Sequence, residues 1–171
     1  TADSLDNGRC RVWVDEARAL CIATAGGAVL HDVLGLEVVG DRGDLYTHSP
    51  IEGTAAQGRI VRHRVVRRGP LRGELRLSMR ATVPARSLVT ATGVAVRRRA
   101  TPVTVTVDVQ LDAGAACVVF SVHGEHRAAD CRVRLTTRTR LQDPDVWADA
   151  AFGEVSRPPV AAADAIGAGR A

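Results

Sequence analysis

The residue pattern predicts an all-β chain folded as an antiparallel β-sandwich, and three observations lead there. Apolar and polar residues alternate with period two over long stretches, as a half-buried strand requires. Short Gly, Pro and Asp clusters separate those stretches, without the strand-then-helix alternation that builds parallel sheets. Capped helical segments are nearly absent, the best candidate being a turn or two over 144–151 behind Asp143 as N-cap. A length of 171 residues suits one core. We expect a sandwich domain over 1–158, followed by an Ala- and Gly-rich tail or linker over 159–171.

Taken in order, Cys10, Val12 and Val14 alternate with Arg11 and Trp13, and Leu20 to Ala25 form a second strand before a Gly26-Gly27 turn. A tight turn at Asp15 and Glu16 would set Cys10 opposite Cys21, as a disulfide or as two reduced packing residues. The four cysteines, with Cys117 and Cys131, have neither the C-x-x-C spacing of a zinc ribbon nor the density of a disulfide scaffold. Leu71, Gly73, Leu75, Leu77, Met79, Ala81 and Val83 form the apolar face of a long strand whose other face carries Arg72, Glu74, Arg76, Ser78, Arg80 and Thr82. Val103, Val105, Val107, Val109 and Leu111 repeat the pattern with β-branched residues. Ala116 to Val122 is apolar on both faces and reads as a central strand. Cys131, Val133 and Leu135 alternate with Arg132, Arg134 and Thr136.

Composition narrows the function classes. Hydrophobic residues make up 46% of the chain, yet no apolar run approaches bilayer length, so a soluble protein without a membrane partner is expected. Aromatics at 3% weigh against stacked platforms for sugars or single-stranded nucleic acid. The net charge is +4, and all 23 cationic residues are Arg, interspersed with 19 acidic ones. That is the balance of a mildly basic surface and not of a dedicated nucleic-acid binder. The sequence starts at Thr1 without a charged-then-apolar leader and has Met79 as its sole methionine, which reads as a piece of a longer, cytoplasmic polypeptide.

The segment Glu37 to Gly53 combines two internal Gly, several carboxylates, the lone Tyr46 and Ser49-Pro50, a composition for an ordered loop. Asp41 and Asp44 read there as turn-capping carboxylates bonded to backbone N–H groups. Gly40 to Pro50 resembles the G-D-x-Y-x-x-x-P segment of glycoside hydrolase family 38, the retaining α-mannosidases, in the β-rich region after their catalytic barrel. Leu5-Asp6-Asn7-Gly8 is similar to that family's L-x-N-G strand, and Gly69-Pro70-Leu71 to its G-P-L segment. Asp130-Cys131-Arg132-Val133-Arg134 resembles its D-H-R-L-R strand, and Phe152 to Pro158 its F-x-V-x-R-P ending. The pieces fall in the family's order across nearly the whole chain, although Cys131 stands where His is usual and His126 where Asn is common.

The resemblance implies a sandwich of the galactose-mutarotase-like supersandwich type. It also implies a parent enzyme in which an Asp nucleophile and a zinc ion, held by His and Asp ligands in an absent barrel, act on a terminal mannoside. This segment by itself would then be inactive and hold no cofactor. Its partners would be the catalytic barrel and helical bundle of the same polypeptide, and the mannoside. By the same resemblance Tyr46 would reach the rim of the catalytic pocket and bond a sugar hydroxyl, with Asp44 beside it. A Tyr that locks the loop through a buried hydroxyl is the alternative role.

Other motifs are ordinary. On an extended strand His123 and His126 of His123-Gly124-Glu125-His126 point to opposite faces, so no metal site is assigned to them or to Cys131. His31, His48 and His63 are scattered and are given no chemistry. Arg97-Arg98-Arg99 with Arg62, Arg64, Arg67 and Arg68 read as a solvated strand face. Two rival functions remain: a carbohydrate-binding module, needing an exposed platform at Trp13 or Trp147, and a polyanion-binding β domain with steep salt dependence.

Overall fold

The structure, a computed structural model, describes residues 4–44, 46–90, 93–142 and 145–157, with side chains described outside 87–99. The expected tail at 159–171 lies outside the described residues, as do Asp143 and Pro144. The described chain contains strands and no helix. A four-stranded antiparallel sheet is formed in sequence order by β1 (Ser4–Asp6), β2 (Cys10–Val14), β3 (Leu20–Thr24) and β4 (Val29–Leu30). A six-stranded antiparallel sheet contains β5 (Leu34–Gly40), β6 (Ala56–Arg68), β7 (Arg72–Thr90), β8 (Gly93–Asp112), β9 (Val119–Glu125) and β10 (Cys131–Thr137). Its order is β10-β5-β6-β7-β8-β9. The pair β11 (Trp147–Ala150) and β12 (Gly153–Ser156) forms a separate hairpin.

One core lies between the two sheets. Leu5, Cys10, Val12, Leu20 and Ile22 of the small sheet pack with Leu36, Val38, Ile60 and the inward rows of β7 and β8. Those rows are Leu75, Leu77, Met79, Ala81 and Val83, and Val103, Val105, Val107, Val109 and Leu111, all buried in the predicted phase. Direct cross-strand pairing of Leu77 with Val107 and of Leu75 with Val109 explains the shared phase, since opposed residues of a ladder lie on one face. Leu71 departs from the expectation: it precedes β7 and is 77% exposed. Gly73 has its own packing reason, because a Cβ there would stand 2.9 Å from Leu5 Cδ2, where the small sheet presses on the large one. The long strand β7 tolerates Pro84 at an irregularity between Pro84 and Arg86, where the ladder loses one donor in any case.

Four further expectations are corrected. Residues 147–150 are a strand and not a helical turn, because Trp147 pairs with Ser156 and Ala150 with Gly153 across a tight connection. Residues 119–122 lie on β9 at the sheet edge and not in its centre; Val119 and Val122 are exposed, while Val118 and Phe120 pack on the core. Glu37 to Gly40 belong to β5, so the ordered loop starts later than its composition suggested. Cys10 pairs with Thr24, and Cys21 with Trp13. Opposed residues share a face, so Cys21 lies on the Trp13 side of the sheet, away from Cys10, and all four cysteines are free.

Candidate functional site

The loop from Asp41 to Pro50 connects β5 to the segment before β6 and is built as an irregular hairpin. Asp41 bridges Pro50, Arg42 N–H donates to the Ser49 carbonyl (3.0 Å), and Asp44 N–H donates to Thr47 O (3.1 Å). Asp41 Oδ1 accepts from the backbone N–H groups of Gly43 (2.8 Å) and Ser49 (2.9 Å), capping both limbs from inside. Asp44 Oδ1 does the same at the tip, accepting from Tyr46 N (2.8 Å) and Thr47 N (2.6 Å). Gly43 is required by packing: a Cβ there would lie 1.8 Å from the Thr47 carbonyl oxygen. Below the loop, buried Ile51 returns the chain to the core, its N–H donating to Gly40 O (2.8 Å).

Electrostatics hold the base of this loop. Asp41 Oδ2 faces His48 Nε2 at 3.6 Å and Arg132 Nε at 3.4 Å. Burial pushes the Asp41 carboxyl up, but the Gly43 and Ser49 amides, with His48 and Arg132, outweigh it and leave the group below its ordinary range. The Thr47 and Tyr46 amides likewise lower Asp44. Asp130, a left-handed residue at φ 53°, joins this base to the long hairpin: its carbonyl accepts from Asp41 N (2.8 Å) and its carboxylate accepts from Arg86 Nε (2.5 Å).

The two recognised segments around Asp41 and Asp130 therefore form one unit, since Cys131 pairs with Gly40 and Arg132 with Val39. The segments around Asn7 and Pro70 also meet, as two walls of one open cleft. Asn7, in one wall, donates from Nδ2 to the carbonyls of Asp112 (2.7 Å) and Ala115 (2.8 Å).

Of the two candidate substrate-binding residues, Asp44 is exposed and occupied with the loop backbone, and Tyr46 is 95% exposed. A buried hydroxyl locking the loop is thus not the role of Tyr46; hydrogen bonds of Asp41 and Asp44 hold the loop instead. The capping function read from the sequence for these carboxylates is the observed one.

Elsewhere, the arginines of the large sheet are mostly paired. Arg72 and Arg76 make two-pronged bonds to Asp112 and Asp108, at 2.6 and 3.0 Å in each pair. Arg134 bonds Glu37, and Arg67 approaches Glu74. Arg62 and Arg64 are exposed, and the side chains of 97–99 lie outside the described residues. His126 Nδ1 lies 3.2 Å from the Ala128 carbonyl, a local backbone contact.

The sequence reading missed a convergence at the far end of the small sheet. Asp15, Cys21 and His31 bring one oxygen, one sulfur and one nitrogen within 4.8 Å of one another. The Cys21 thiol is raised by burial, with the Asp15 and Asp32 carboxylates adding to the rise and the Asp32 N–H opposing it. Only the β2–β3 register, which turns Cys21 to the side of the sheet away from Cys10, could have signalled this.

The fold and these contacts define a class, a two-sheet antiparallel sandwich whose loop presents a single exposed tyrosine. No protein-family model and no curated protein matches the sequence. Among solved structures, the chain superposes on an alpha-mannosidase from Enterococcus faecalis V583 with a TM-score of 0.79 and 16% identity. That match covers 92% of this chain and 20% of the other. It also superposes on a protein in the glycosyl hydrolase family 38 from Enterococcus faecalis, with a TM-score of 0.75 and 17% identity over 92% of this chain and 21% of that one. The chain thus has the fold of a portion of these glycosyl hydrolase structures and spans about a fifth of their length.

Proposed function

We propose that this chain is the non-catalytic β-sandwich domain of an α-mannosidase-like retaining glycoside hydrolase, bracing the catalytic barrel and helical bundle and lending the Asp41 to Pro50 loop to the active-site rim. The observation that carries this reading is the superposition of 92% of the chain on one-fifth of an alpha-mannosidase. The loop supports it, because Asp41 and Asp44 hold the backbone so that the ring of Tyr46 stands 95% exposed. A phenol so placed offers a donor and an acceptor on a stiff ring to a sugar hydroxyl. The test is kinetic, in the full-length polypeptide that contains this segment. Tyr46→Phe should lower kcat/KM on an aryl α-mannoside by about two- to tenfold, the worth of one hydrogen bond of about 0.5–1.5 kcal/mol. The segment alone should release no sugar. Turnover by the segment alone, or a full-length polypeptide inert toward α-mannosides, would refute the reading.

A carbohydrate-binding module is favoured by one specific observation, the exposure of Trp147 (61%) and Phe152 (105%) on the β11–β12 hairpin. Aromatic faces of this kind stack on sugar rings. Binding of the isolated chain to α-mannan that disappears in Trp147→Ala would support that role; binding unchanged by the substitution would remove it.

A further inference from the structure

Three segments of the small sheet converge on one point. Asp15 ends the β2 limb of a tight turn fixed by Asp15 N–H to Ala19 O (3.0 Å), Arg18 N–H to Asp15 O (3.0 Å) and a left-handed Arg18 at φ 61°. Cys21 sits on β3, fully buried. His31 follows β4 and is exposed; beyond it, Asp32 at φ 53° and the Val33 N–H bond to Leu20 O (2.9 Å) anchor the chain. Cys21 Sγ lies 3.5 Å from Asp15 Oδ2 and 3.5 Å from His31 Nδ1.

These separations match the edges of a tetrahedral zinc site. With Zn–S near 2.3 Å, Zn–N near 2.0–2.1 Å and Zn–O near 2.0–2.2 Å, the S···N and S···O edges are each about 3.6 Å. We propose that Asp15 Oδ2, Cys21 Sγ and His31 Nδ1 form a three-residue binding site for a zinc-like divalent ion, with solvent in the fourth position. Asp15 has an oxygen available because Oδ1 is taken by Ala19 N–H (2.8 Å) and Oδ2 faces the sulfur. Asp32 is not among the residues whose ligand atoms converge there, and its Oδ2 is held by Arg138 Nη1 at 2.5 Å. An open cleft of about 440 Å³ bordered by Asp15 and His31 gives solvent and metal access. Arg18, which also borders it, is tied to the Val61 carbonyl at 2.8 Å. One carboxylate, one thiolate and a neutral imidazole balance the charge of a divalent ion. A thiolate and an imidazole select zinc-like ions over magnesium or calcium. A cluster joined only by hydrogen bonds accounts for the same distances, so the experiment must separate the two.

Cobalt(II) is the probe, titrated into the reduced 171-residue chain. The site predicts saturation at one equivalent, strong visible bands of a tetrahedral ion, a near-ultraviolet sulfur-to-cobalt charge-transfer band, and displacement of all three by zinc. Cys21→Ser should abolish the charge-transfer band. His31→Ala changes an exposed residue and leaves the core intact. It should weaken binding at least about tenfold, since loss of a mere outer partner already costs about 10–100-fold. Cys117→Ser, at an exposed cysteine, should change nothing. Absence of the charge-transfer band in the unmodified chain, its persistence in Cys21→Ser, its loss in Cys117→Ser, or unchanged affinity in His31→Ala would each overturn the proposal.

Discussion

Truncation of Asn7 is expected to cost more stability than its half-exposed position suggests. Its Nδ2 donates to the carbonyls of Asp112 and Ala115, and its Oδ1 accepts from the backbone N–H of Cys10 (2.8 Å) and of Arg9 (3.0 Å). The first three bonds are partly buried and the Arg9 bond is exposed, so water replaces only the last without loss. At about 1 kcal/mol for each partly buried bond, Asn7→Ala should cost about 3 kcal/mol. For a chain of this size that lowers Tm by about 6–12 °C. Asn7→Asp provides the control. It keeps the two acceptor contacts but sets a carboxylate oxygen against two carbonyls, which disfavours the charged form and raises its folded pKa. Its deficit against the unmodified chain should therefore be largest near neutrality and shrink as pH falls through that raised value. Thermal melts by circular dichroism across pH measure both. A Tm for Asn7→Ala within about 1 °C of the unmodified chain, or an Asn7→Asp deficit independent of pH, would refute the reasoning.

Other outcomes follow from the same contacts. Leu77→Ala, at a fully buried position, should cost about 2–5 kcal/mol. Thr82→Ala on the exposed face of the same strand should cost less than about 0.5 kcal/mol, and equal shifts in the two melts would mean that the strand phase is wrong. The Arg76 hydrogen bonds lower Asp108, and the net effect of its surroundings lowers Asp41. Their stabilisation is present above the unfolded-state value of about 3.9 and is lost as pH falls through the folded values beneath it. Tm should thus drop below about pH 4, and Asp108→Asn should flatten that fall; an acid limb unchanged by the substitution counts against the Arg76–Asp108 pair. Tyr46→Phe in the isolated chain should leave Tm within about 1 °C, because its side chain is 95% exposed. A loss of several degrees would restore the loop-lock role.

What the residue pattern could reveal depended on the range of the interactions. Strict alternation in β7 and β8 identified the buried rows, because period two follows from the strand itself. The same reasoning misplaced 119–122: an apolar residue on both faces states a preference for burial but not what covers it, and Val122 is left at 47% exposure on an edge. Capping of Gly43 by Asp41 and of Tyr46 and Thr47 by Asp44 was readable, since these Asx contacts reach only two or three residues. The pairing of Asp41 with Arg132 and with Asp130 was not, because it needs the β5–β10 register. Asp15, Cys21 and His31 failed for the same reason: a hairpin register three residues away from the one imagined for Cys10 and Cys21 decides which side of the sheet the sulfur occupies.

The long β7–β8 hairpin changes its company along its length. Near its base β7 pairs with β6 from Gly73 to Arg80, and β8 pairs with β9 from Thr104 to Gln110. Beyond Pro84 and Ala100 the ladder continues as a two-stranded ribbon, with the Arg86–Ala129 bridge and the Arg86–Asp130 pair as its lateral ties among the described residues. One continuous hairpin therefore belongs to two cooperative units. Amides around Leu77 and Val107 should exchange with solvent only when the whole sandwich opens, whereas those past the Pro84 irregularity should need open only the ribbon. Deuterium uptake along β7 should then rise in a step at Pro84, and denaturant should abolish the step by lowering the global barrier until both halves exchange together.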